Sequence, residues 1–350
     1  MRREELRFPR PPDRVAREPP EVSRGSRDAV RLLVSRPEDH RVAGFHDLPR
    51  FLEPGDLLVV NESATLPASL PSEGGSGPFL LNLCTRFGPT LYLGEPRRSF
   101  ETPGPLPFAP GSPARVSGVP ARLLGPFPGI PRLWFVSTED DLFPRLPERG
   151  VPIRYGYVGR PWPLSAYQTL FGRVPGSMEM PSAGRPFTPR VMDALSCRGV
   201  GLATVVLHCG VSSLEVESDR VESQVLYPEP FRVPEATARA VNETRRRGHR
   251  VVAVGTTVVR ALESSWEDGQ VQPREGFTRL YVHPPGPLRA VQGLLTGLHD
   301  PLTSHLALLF ALGAPPWIRE AYRVAVRSGL LWHEFGDSHL LLPELPGRAR

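Results

Sequence analysis

Residues 250–264, RVVAVGTTVVRALES, change from one secondary structure to another within a few positions. The apolar, β-branched run before Gly255 predicts a buried strand, and the spacing after it predicts a helix. Gly255 allows a tight turn, and one of the two threonines that follow, Thr256 or Thr257, can cap the helix. The stretch therefore predicts a strand–turn–helix unit, which is typical of an α/β sheet.

The same junction is a candidate ligand site. A helix that starts at the carboxyl end of a strand offers free N–H groups and partial positive charge to an anion. Gly255, Thr256 and Thr257 are therefore candidate substrate-binding residues, although a purely structural capped turn is an alternative. Arg260 and Glu263 lie three residues apart on one helix face, where they can bind a ligand or form an ion pair.

The rest of the chain continues this alternation of strands and helices. Apolar runs predict strands at 201–208 and 278–283, and helical spacing predicts a helix at 189–197 with Thr188 as its N-cap. We therefore expect an α/β fold with a mostly parallel sheet. Because the parallel strands of such a sheet gather ligands at their carboxyl ends, His208 and His299 are candidates for the same site.

One segment has a different texture and defines the predicted domains. Between residues 67 and 150, short apolar segments alternate with Pro/Gly turns, which indicates an inserted small β-barrel-like domain. The α/β domain is then built from residues 29–66 and 151–350. Residues 1–28, rich in Pro, Arg and Glu, are predicted to form an extended lead-in.

Composition excludes several kinds of site. All 42 basic residues among the 350 are arginine, which rules out a P-loop lysine, a Schiff-base lysine and a lysine general base. Arginine suits phosphate and carboxylate groups, and the net charge of +5 is compatible with an RNA partner. Cys84, Cys197 and Cys209 lack the spacing of a metal site and suit a reducing compartment.

No apolar run approaches the roughly 20 residues that a membrane span requires. We therefore expect a cytoplasmic monomer that binds no metal and does not contact a membrane.

Taken in order, the motifs resemble the S-adenosylmethionine:tRNA ribosyltransferase-isomerase family of queuosine biosynthesis. The matching stretches span nearly the whole chain: RLLV (31–34), PGDLLVVNES (54–63), YQT (167–169), PGS (175–177), PSAG (181–184), LHCG (207–210), GTTVVRALES (255–264), TRLYVHPP (278–285), LLTGLH (294–299) and GDSHLL (336–341).

The resemblance implies an α/β domain with an inserted barrel-like domain and a reaction in which S-adenosylmethionine is a substrate. Its ribosyl portion passes to 7-aminomethyl-7-deazaguanine at the tRNA wobble position and is isomerised to give epoxyqueuosine, while adenine and methionine leave. His208 and His299 are the candidates for proton transfer. The matching motifs add further substrate-binding candidates: Asn61, Tyr167, Gln168, Ser182, Gly184 and Asp337.

The sequence departs from the family pattern at several polar positions. Arg185-Pro186 replaces Leu-His, and residues 211–217 and 222–230 lack the family's usual motif and histidine pair. Residues 297–304 read GLHDPLTS instead of the usual NFHLPxST, and Ser69 replaces an arginine. Three hypotheses remain open: the tRNA reaction, a related enzyme with a different acceptor, and a non-catalytic tRNA-binding protein.

Overall fold

The fold is described from a computed structural model that covers residues 1–75, 77–104, 106–211, 215–286 and 288–344. The strands, in chain order, are β1 (Arg31–Arg36), β2 (Asp39–Gly44), β3 (Leu57–Asn61), β4 (Ser63–Thr65), β5 (Ser69–Gly74), β6 (Gly77–Gly88), β7 (Leu91–Arg97), β8 (Ser112–Val116), β9 (Val119–Phe127), β10 (Ile130–Thr138), β11 (Val174–Ser177), β12 (Gly201–Leu207), β13 (Glu229–Val233), β14 (Val251–Val254), β15 (Trp266–Glu267), β16 (Gln270–Val271), β17 (Arg274–Thr278), β18 (Gly293–Gly297) and β19 (Ser338–Leu341).

The α-helices are α1 (Pro20–Ser23), α2 (Leu146–Arg149), α3 (Pro189–Cys197), α4 (Glu235–Arg246), α5 (Thr256–Ser264), α6 (Ser304–Leu312) and α7 (Pro315–Arg327). Short 3₁₀ helices lie at Arg3–Leu6, Phe45–Phe51, Phe143–Arg145, Leu164–Tyr167, Ser182–Gly184 and Val221–Ser223. None of the described helices is long and apolar enough to cross a membrane.

Nine of the described strands form one mixed sheet in the order β17-β13-β12-β3-β14-β18-β19-β1-β2. The central strands β12, β3, β14 and β18 are parallel to one another, as are β19 and β1. The other four neighbouring pairs are antiparallel. The prediction of a mostly parallel sheet is therefore not confirmed, because antiparallel strands, which need no crossover helix, complete both sides of the parallel centre.

Six of the described strands close into an antiparallel barrel in the order β10-β7-β6-β5-β8-β9. This confirms the predicted barrel-like unit. Its strands run from Ser69 to Thr138, and its interior is filled by a separate apolar cluster that includes Leu81, Leu123 and Val136. Closure removes the exposed strand edges that an open sheet would leave.

The large sheet is covered on both faces. Val59 of β3 packs with Val258 and Leu262 of α5, whereas its neighbour Val60 packs with Val191 of α3 on the other face. Alternate residues of a strand point to opposite faces, so a strand buried on both faces is apolar throughout, as β3 is until it reaches Asn61.

Residues 1–28 pack against this unit. Leu6 is buried, and Val15 forms an isolated bridge with Trp332 near the start of β19. The amino group of Met1 forms an ion pair with Glu222.

The two predicted helix caps have different outcomes. Thr188 caps α3 as predicted, with its side chain accepting a hydrogen bond from the backbone N–H of Val191. At α5 the N-cap is Gly255, which has a φ of 99° and no capping side chain, so the prediction of a threonine cap is wrong there. A positive φ suits glycine at the cap position, so Thr256 and Thr257 both belong to the first turn of the helix.

Candidate active site

The parallel centre of the sheet brings predicted residues to one edge. Asn61 ends β3, His208 follows β12, Gly255 follows β14 and His299 lies two residues beyond β18. Because these strands are parallel, their carboxyl ends share one edge of the sheet, where ligands of α/β proteins commonly bind.

Asn61 joins the ends of these strands. Its amide nitrogen donates to the carbonyl of Leu207 at 2.8 Å and lies 3.4 Å from Oγ1 of Thr257. Its amide oxygen accepts from the backbone N–H groups of Leu207 and Ser63, each at 3.1 Å. These contacts satisfy the Asn61 side chain within the protein, so it positions the strand ends and the start of α5.

A chain of hydroxyl groups orients His208. Its Nδ1 lies 2.7 Å from Oγ of Ser63, which lies 2.7 Å from Oγ of Ser177, and Ser177 accepts a hydrogen bond from the backbone N–H of Cys209. Burial, aided by the positive charge of Arg232, lowers the pKa of His208 below its usual value. The ring is therefore held neutral and in a fixed orientation at neutral pH.

The N-terminus of α5 adjoins the turn at residues 182–184. A Cβ placed on Gly255 would lie 3.4 Å from the Cβ of Ala183, so the two segments touch. Thr256 is buried, and the hydroxyl of Thr257 faces the amide of Asn61. The helix N-terminus thus lies directly behind the 182–184 turn.

Arg260 and Glu263 do not pair with each other, so the predicted ion pair is wrong. Arg260 instead forms an ion pair with Glu229 and donates to the carbonyl of Leu280 at 2.9 Å. Glu263 accepts hydrogen bonds from the backbone N–H groups of 289 and 290 at 2.8–3.0 Å, and burial raises its pKa. Both side chains thus make structural contacts with the rest of the protein.

A cavity of about 260 Å³ lies beside this edge. Its walls come from the segment after the barrel, the end of β11, the loop after β18 and the loop before β19. The polar side chains that line it are Thr65, Tyr155, Tyr157, Tyr167, Glu179, Ser182, His299, Asp300, Thr303, His305, His333 and Glu334. His299 and Ser182 are therefore at the cavity, whereas His208 and residues 255–257 are not among its lining residues.

His299 and His305, two histidines of the cavity, are held in the neutral form. His299 lies 2.8 Å from Oγ1 of Thr296, and its ring centre is 4.8 Å from that of His305. Burial, together with neighbouring histidines, lowers the pKa of His299 well below its usual value. Burial and the charge of Arg260 lower the pKa of His305 to about 4. Both imidazoles are therefore neutral at pH 7 and able to accept a proton from a bound ligand.

Two tyrosine–carboxylate pairs also line the cavity. Tyr155 donates to Glu179, and Tyr157 donates to Glu334 at 2.5 Å. The ring of Tyr157 is stacked on His333, with ring centres 4.0 Å apart and planes 12° apart. Burial and the nearby carboxylates raise the pKa of both tyrosines, which therefore stay protonated.

The YQT and PSAG motifs meet at the cavity, with different roles. Tyr167 is 3% exposed, and its hydroxyl has no hydrogen-bond partner among the described residues, so the cavity holds an unsatisfied donor. Gln168 pairs through its amide with both backbone groups of Thr65 at 2.7–2.9 Å. Ser182 lines the cavity, while Gly184 packs against Phe171, where a Cβ would lie 3.3 Å from the ring.

Asp337 and Arg185 lie outside the cavity lining. Asp337 is 1% exposed and accepts from the backbone and guanidinium of Arg31 and from the backbone of Leu331, so it joins β1 to the loop before β19. Arg185 is 2% exposed, forms an ion pair with Glu21 at 2.7 Å and lies 4.7 Å over the ring of Phe335.

The other departures from the family pattern are distributed around the site. Residues 212–214 of the 211–217 segment lie outside the described residues. Within 222–230, Glu229 pairs with Arg260, and Ser69 is a buried residue of β5. Residues 297–300 and 303 of the GLHDPLTS segment line the cavity.

Sequence reasoning missed several cavity residues: Tyr155, Tyr157, Glu179, His305, His333 and Glu334. They come from segments without a recognisable motif, and only the fold joins them. One signal was available, because residues 333–334 are separated from the GDSHLL motif only by Phe335. Among the described residues, no group of three or more His, Cys, Asp or Glu side chains is placed to hold a metal ion.

A mixed α/β sheet, a closed antiparallel barrel and a polar cavity near the carboxyl ends of the parallel strands define an α/β protein with an enzyme-like site. The family model described as "Queuosine biosynthesis protein" matches residues 3–341. The chain belongs to this family.

Relatives match over nearly the full length. The chain is 40% identical to S-adenosylmethionine:tRNA ribosyltransferase-isomerase of Rubrobacter xylanophilus, with 98% of each chain covered. It is 36% identical to the protein of the same name from Moorella thermoacetica, covering 98% of this chain and 100% of the other. The crystal structure of the S-adenosylmethionine tRNA ribosyltransferase of Thermotoga maritima matches with a TM-score of 0.55 at 28% identity, covering 97% of this chain and 100% of the other.

Proposed function

We propose that this protein transfers and isomerises the ribosyl portion of S-adenosylmethionine onto 7-aminomethyl-7-deazaguanine in tRNA, giving epoxyqueuosine. Family membership over residues 3–341 supports this activity. The observation that carries it in the structure is the cavity, whose walls bring together Glu179, Glu334 and Asp300. Asp300 is paired with Arg10, whereas Glu179 and Glu334 accept hydrogen bonds from neutral tyrosines, and such carboxylates suit a ligand with the positive sulfonium and ammonium groups of S-adenosylmethionine.

The side chains of the cavity also suit the chemistry. The sulfonium acidifies the C–H group of the adjacent carbon, and a neutral imidazole can remove the proton from it. His299 supplies such an imidazole inside the cavity. Departing adenine needs a proton donor, and the unsatisfied hydroxyl of Tyr167 is available as a hydrogen-bond donor there. His208 is connected to the cavity wall through its neighbour in sequence. The carbonyl of Cys209 accepts a hydrogen bond from the backbone N–H of Met178 in the cavity wall at 2.7 Å.

The methionine carboxylate needs a separate anion site. Arg260 is occupied by Glu229, so we assign the carboxylate to Ser182, which lines the cavity in the turn next to the N-terminus of α5. Backbone N–H groups and the helix dipole favour an anion there.

The direct test is incubation of the purified protein with S-adenosylmethionine and tRNA that carries the aminomethyl-deazaguanine base. We expect adenine and methionine to be released, and the mass of the modified nucleoside to increase accordingly. tRNA with unmodified guanine is the matched control and should give neither product. Binding of the modified tRNA without adenine release would favour the non-catalytic alternative, and release without RNA would favour another acceptor.

Gly176 gives a specific prediction for the role of His208. A Cβ at this position would lie 2.4–2.6 Å from three atoms of the His208 ring, so Gly176→Ala must displace the ring from Ser63. We expect turnover to fall by about 10²-fold, because a misplacement of about 1 Å at a reacting group has an effect of this size. Gly176 also has a φ of 155°, where alanine is strained, so the fold of the variant is checked by its circular dichroism and unfolding midpoint.

Steady-state adenine release and NMR titration of the histidine ring check this expectation. In the variant the pKa of His208 should rise toward its usual value as the ring becomes more exposed. Gly125→Ala is the matched control, because Gly125 has a similar φ of 159° and a Cβ there would have no atom closer than 4.0 Å. Normal turnover in Gly176→Ala with a shifted His208 pKa would exclude His208 from the reaction.

A further inference from the structure

An exposed phenylalanine lies in line with His208 across the sheet. The backbone N–H of His208 donates to the carbonyl of Pro230 in β13, and Pro230 lies directly opposite Phe277 in β17. Neighbouring strands are about 4.8 Å apart, so Phe277 lies about 10 Å from His208. Residues opposite each other in antiparallel strands project from the same face, so Phe277 and His208 share a face.

Phe277 is unusually exposed for its size. It is 52% exposed, on the strand at one edge of the sheet. Its ring centre lies 5.8 Å from that of Phe87 in the barrel, and Phe87 in turn neighbours Phe135 at 6.1 Å. Phe277 is therefore supported from the barrel side and still leaves more than half of its surface open to solvent.

Two arginines flank this aromatic surface. Arg232 lies two residues after Pro230 on the same face and is exposed, and Arg279 follows β17 with its guanidinium 5.7 Å over the ring of Phe127. Neither arginine forms an ion pair within the part of the chain that the structure describes. Glu275, opposite Arg232 in β17, is the acidic residue of this face.

We propose that Phe277, Arg232 and Arg279 form a platform for a nucleotide that flanks the reacting base of the RNA. The flanking base stacks on Phe277, and the arginines contact the adjacent phosphates. This inference rests on the proposed function, because it places the reacting base at the cavity beside His208. Unpaired loop bases of RNA are commonly bound by aromatic stacking combined with arginine contacts.

The observations favour RNA over a protein partner on this surface. The exposed apolar area is centred on one ring and is bordered by two guanidinium groups without ion-pair partners, which suits a base and its phosphates. The platform also continues directly from the strand that ends at His208, so one RNA loop can reach both places.

The test uses the full chain and an anticodon stem–loop RNA with 2-aminopurine next to the wobble nucleotide, on either its 5′ or its 3′ side. Stacking on an aromatic ring quenches 2-aminopurine fluorescence, so one of the two RNAs should be quenched on binding. Phe277→Leu should abolish this quenching and weaken binding on the order of tenfold. Phe277→Trp should retain both.

Arg232→Ala should reduce the slope of log Kd against log salt by about 0.7, the value for one contact with a single-stranded phosphate. Arg41→Ala is the matched control, because Arg41 is 72% exposed on β2, at the far edge of the same sheet. In turnover assays Phe277→Leu should raise KM for tRNA and leave kcat and the affinity for S-adenosylmethionine unchanged.

The outcomes separate this proposal from the proposed function. If the wild-type protein releases adenine but neither RNA is quenched and Phe277→Leu binds normally, the platform is wrong and the reaction stands. If quenching depends on Phe277 and no adenine is released, the platform stands and the reaction is wrong.

Discussion

Replacing His299 by alanine lowers the turnover of adenine release by about 10²- to 10⁴-fold, the range typical of a lost general base. His299 is the predicted catalytic residue that lines the cavity, and its lowered pKa keeps the ring neutral at pH 7. His299→Gln should lose as much, because an amide can still reach Thr296 but cannot take up a proton.

The measurement is steady-state adenine release at saturating S-adenosylmethionine and tRNA. His46→Ala is the control for the loss of an imidazole elsewhere, because the His46 side chain is 55% exposed and does not line the cavity. Turnover of the wild-type protein should not change with pH above about 6.5, the usual pKa of histidine, since His299 is already neutral there. A loss of less than about threefold in both His299 variants would contradict this role.

Glu229→Gln lowers the free energy of unfolding by about 3–5 kcal/mol, the usual effect of leaving one partner of a buried ion pair unpaired. Glu229 is 3% exposed and the Arg260 side chain is 11% exposed, so the guanidinium remains buried without its counter-charge. The glutamine oxygen can still accept the backbone N–H of Gly210, as Glu229 does at 2.7 Å. The effect therefore isolates the charge.

Urea unfolding of wild type and variant measures this change. Glu243→Gln is the matched control, because its pair with Arg247 is on the surface and should contribute no more than about 1 kcal/mol. Glu229→Leu combined with Arg260→Leu should recover most of the lost stability, since no charge is left buried. If Glu229→Gln changed the free energy of unfolding as little as the control does, the structural role of the ion pair would be contradicted. Arg260 would then be a candidate for ligand binding again.

Within the motifs of the chain, the residues that line the cavity differ from those that support the fold. Arg260, Glu263, Asn61, Gln168 and Asp337 all have their polar groups engaged by the protein itself. The motif residues are thus largely the frame that positions strand ends and turns. The cavity is lined by His299, Ser182 and Tyr167, together with residues that no motif revealed.

One departure from the family pattern, Arg185, has a structural explanation. Arg185 contacts the ring of Phe335, and that ring lies 5.4 Å from Tyr167 in the cavity wall. Its guanidinium is balanced by Glu21 of the N-terminal segment. Arg185 therefore supports the wall of the cavity from behind, which is compatible with a retained reaction.

The sequence alone was sufficient where local physics determines the structure. The helix of residues 189–197 and its Thr188 cap, the buried strand that ends at Asn61 and the barrel follow from apolar spacing, capping chemistry and turn residues. The predicted strand at 278–283 is wrong, because β17 ends at Thr278. The following segment instead contacts Arg260 through the carbonyl of Leu280, a long-range contact that no local pattern encodes.

Only the tertiary structure decided which side chains line the cavity. Sequence spacing placed His208 and His299 at strand ends, but could not show that His299 lines the cavity and His208 does not. Nor could it pair Tyr155 with Glu179 or stack Tyr157 on His333, because these contacts join segments that are far apart in the chain. Local propensity sets strands, helices and caps, whereas a cavity depends on how distant segments pack together.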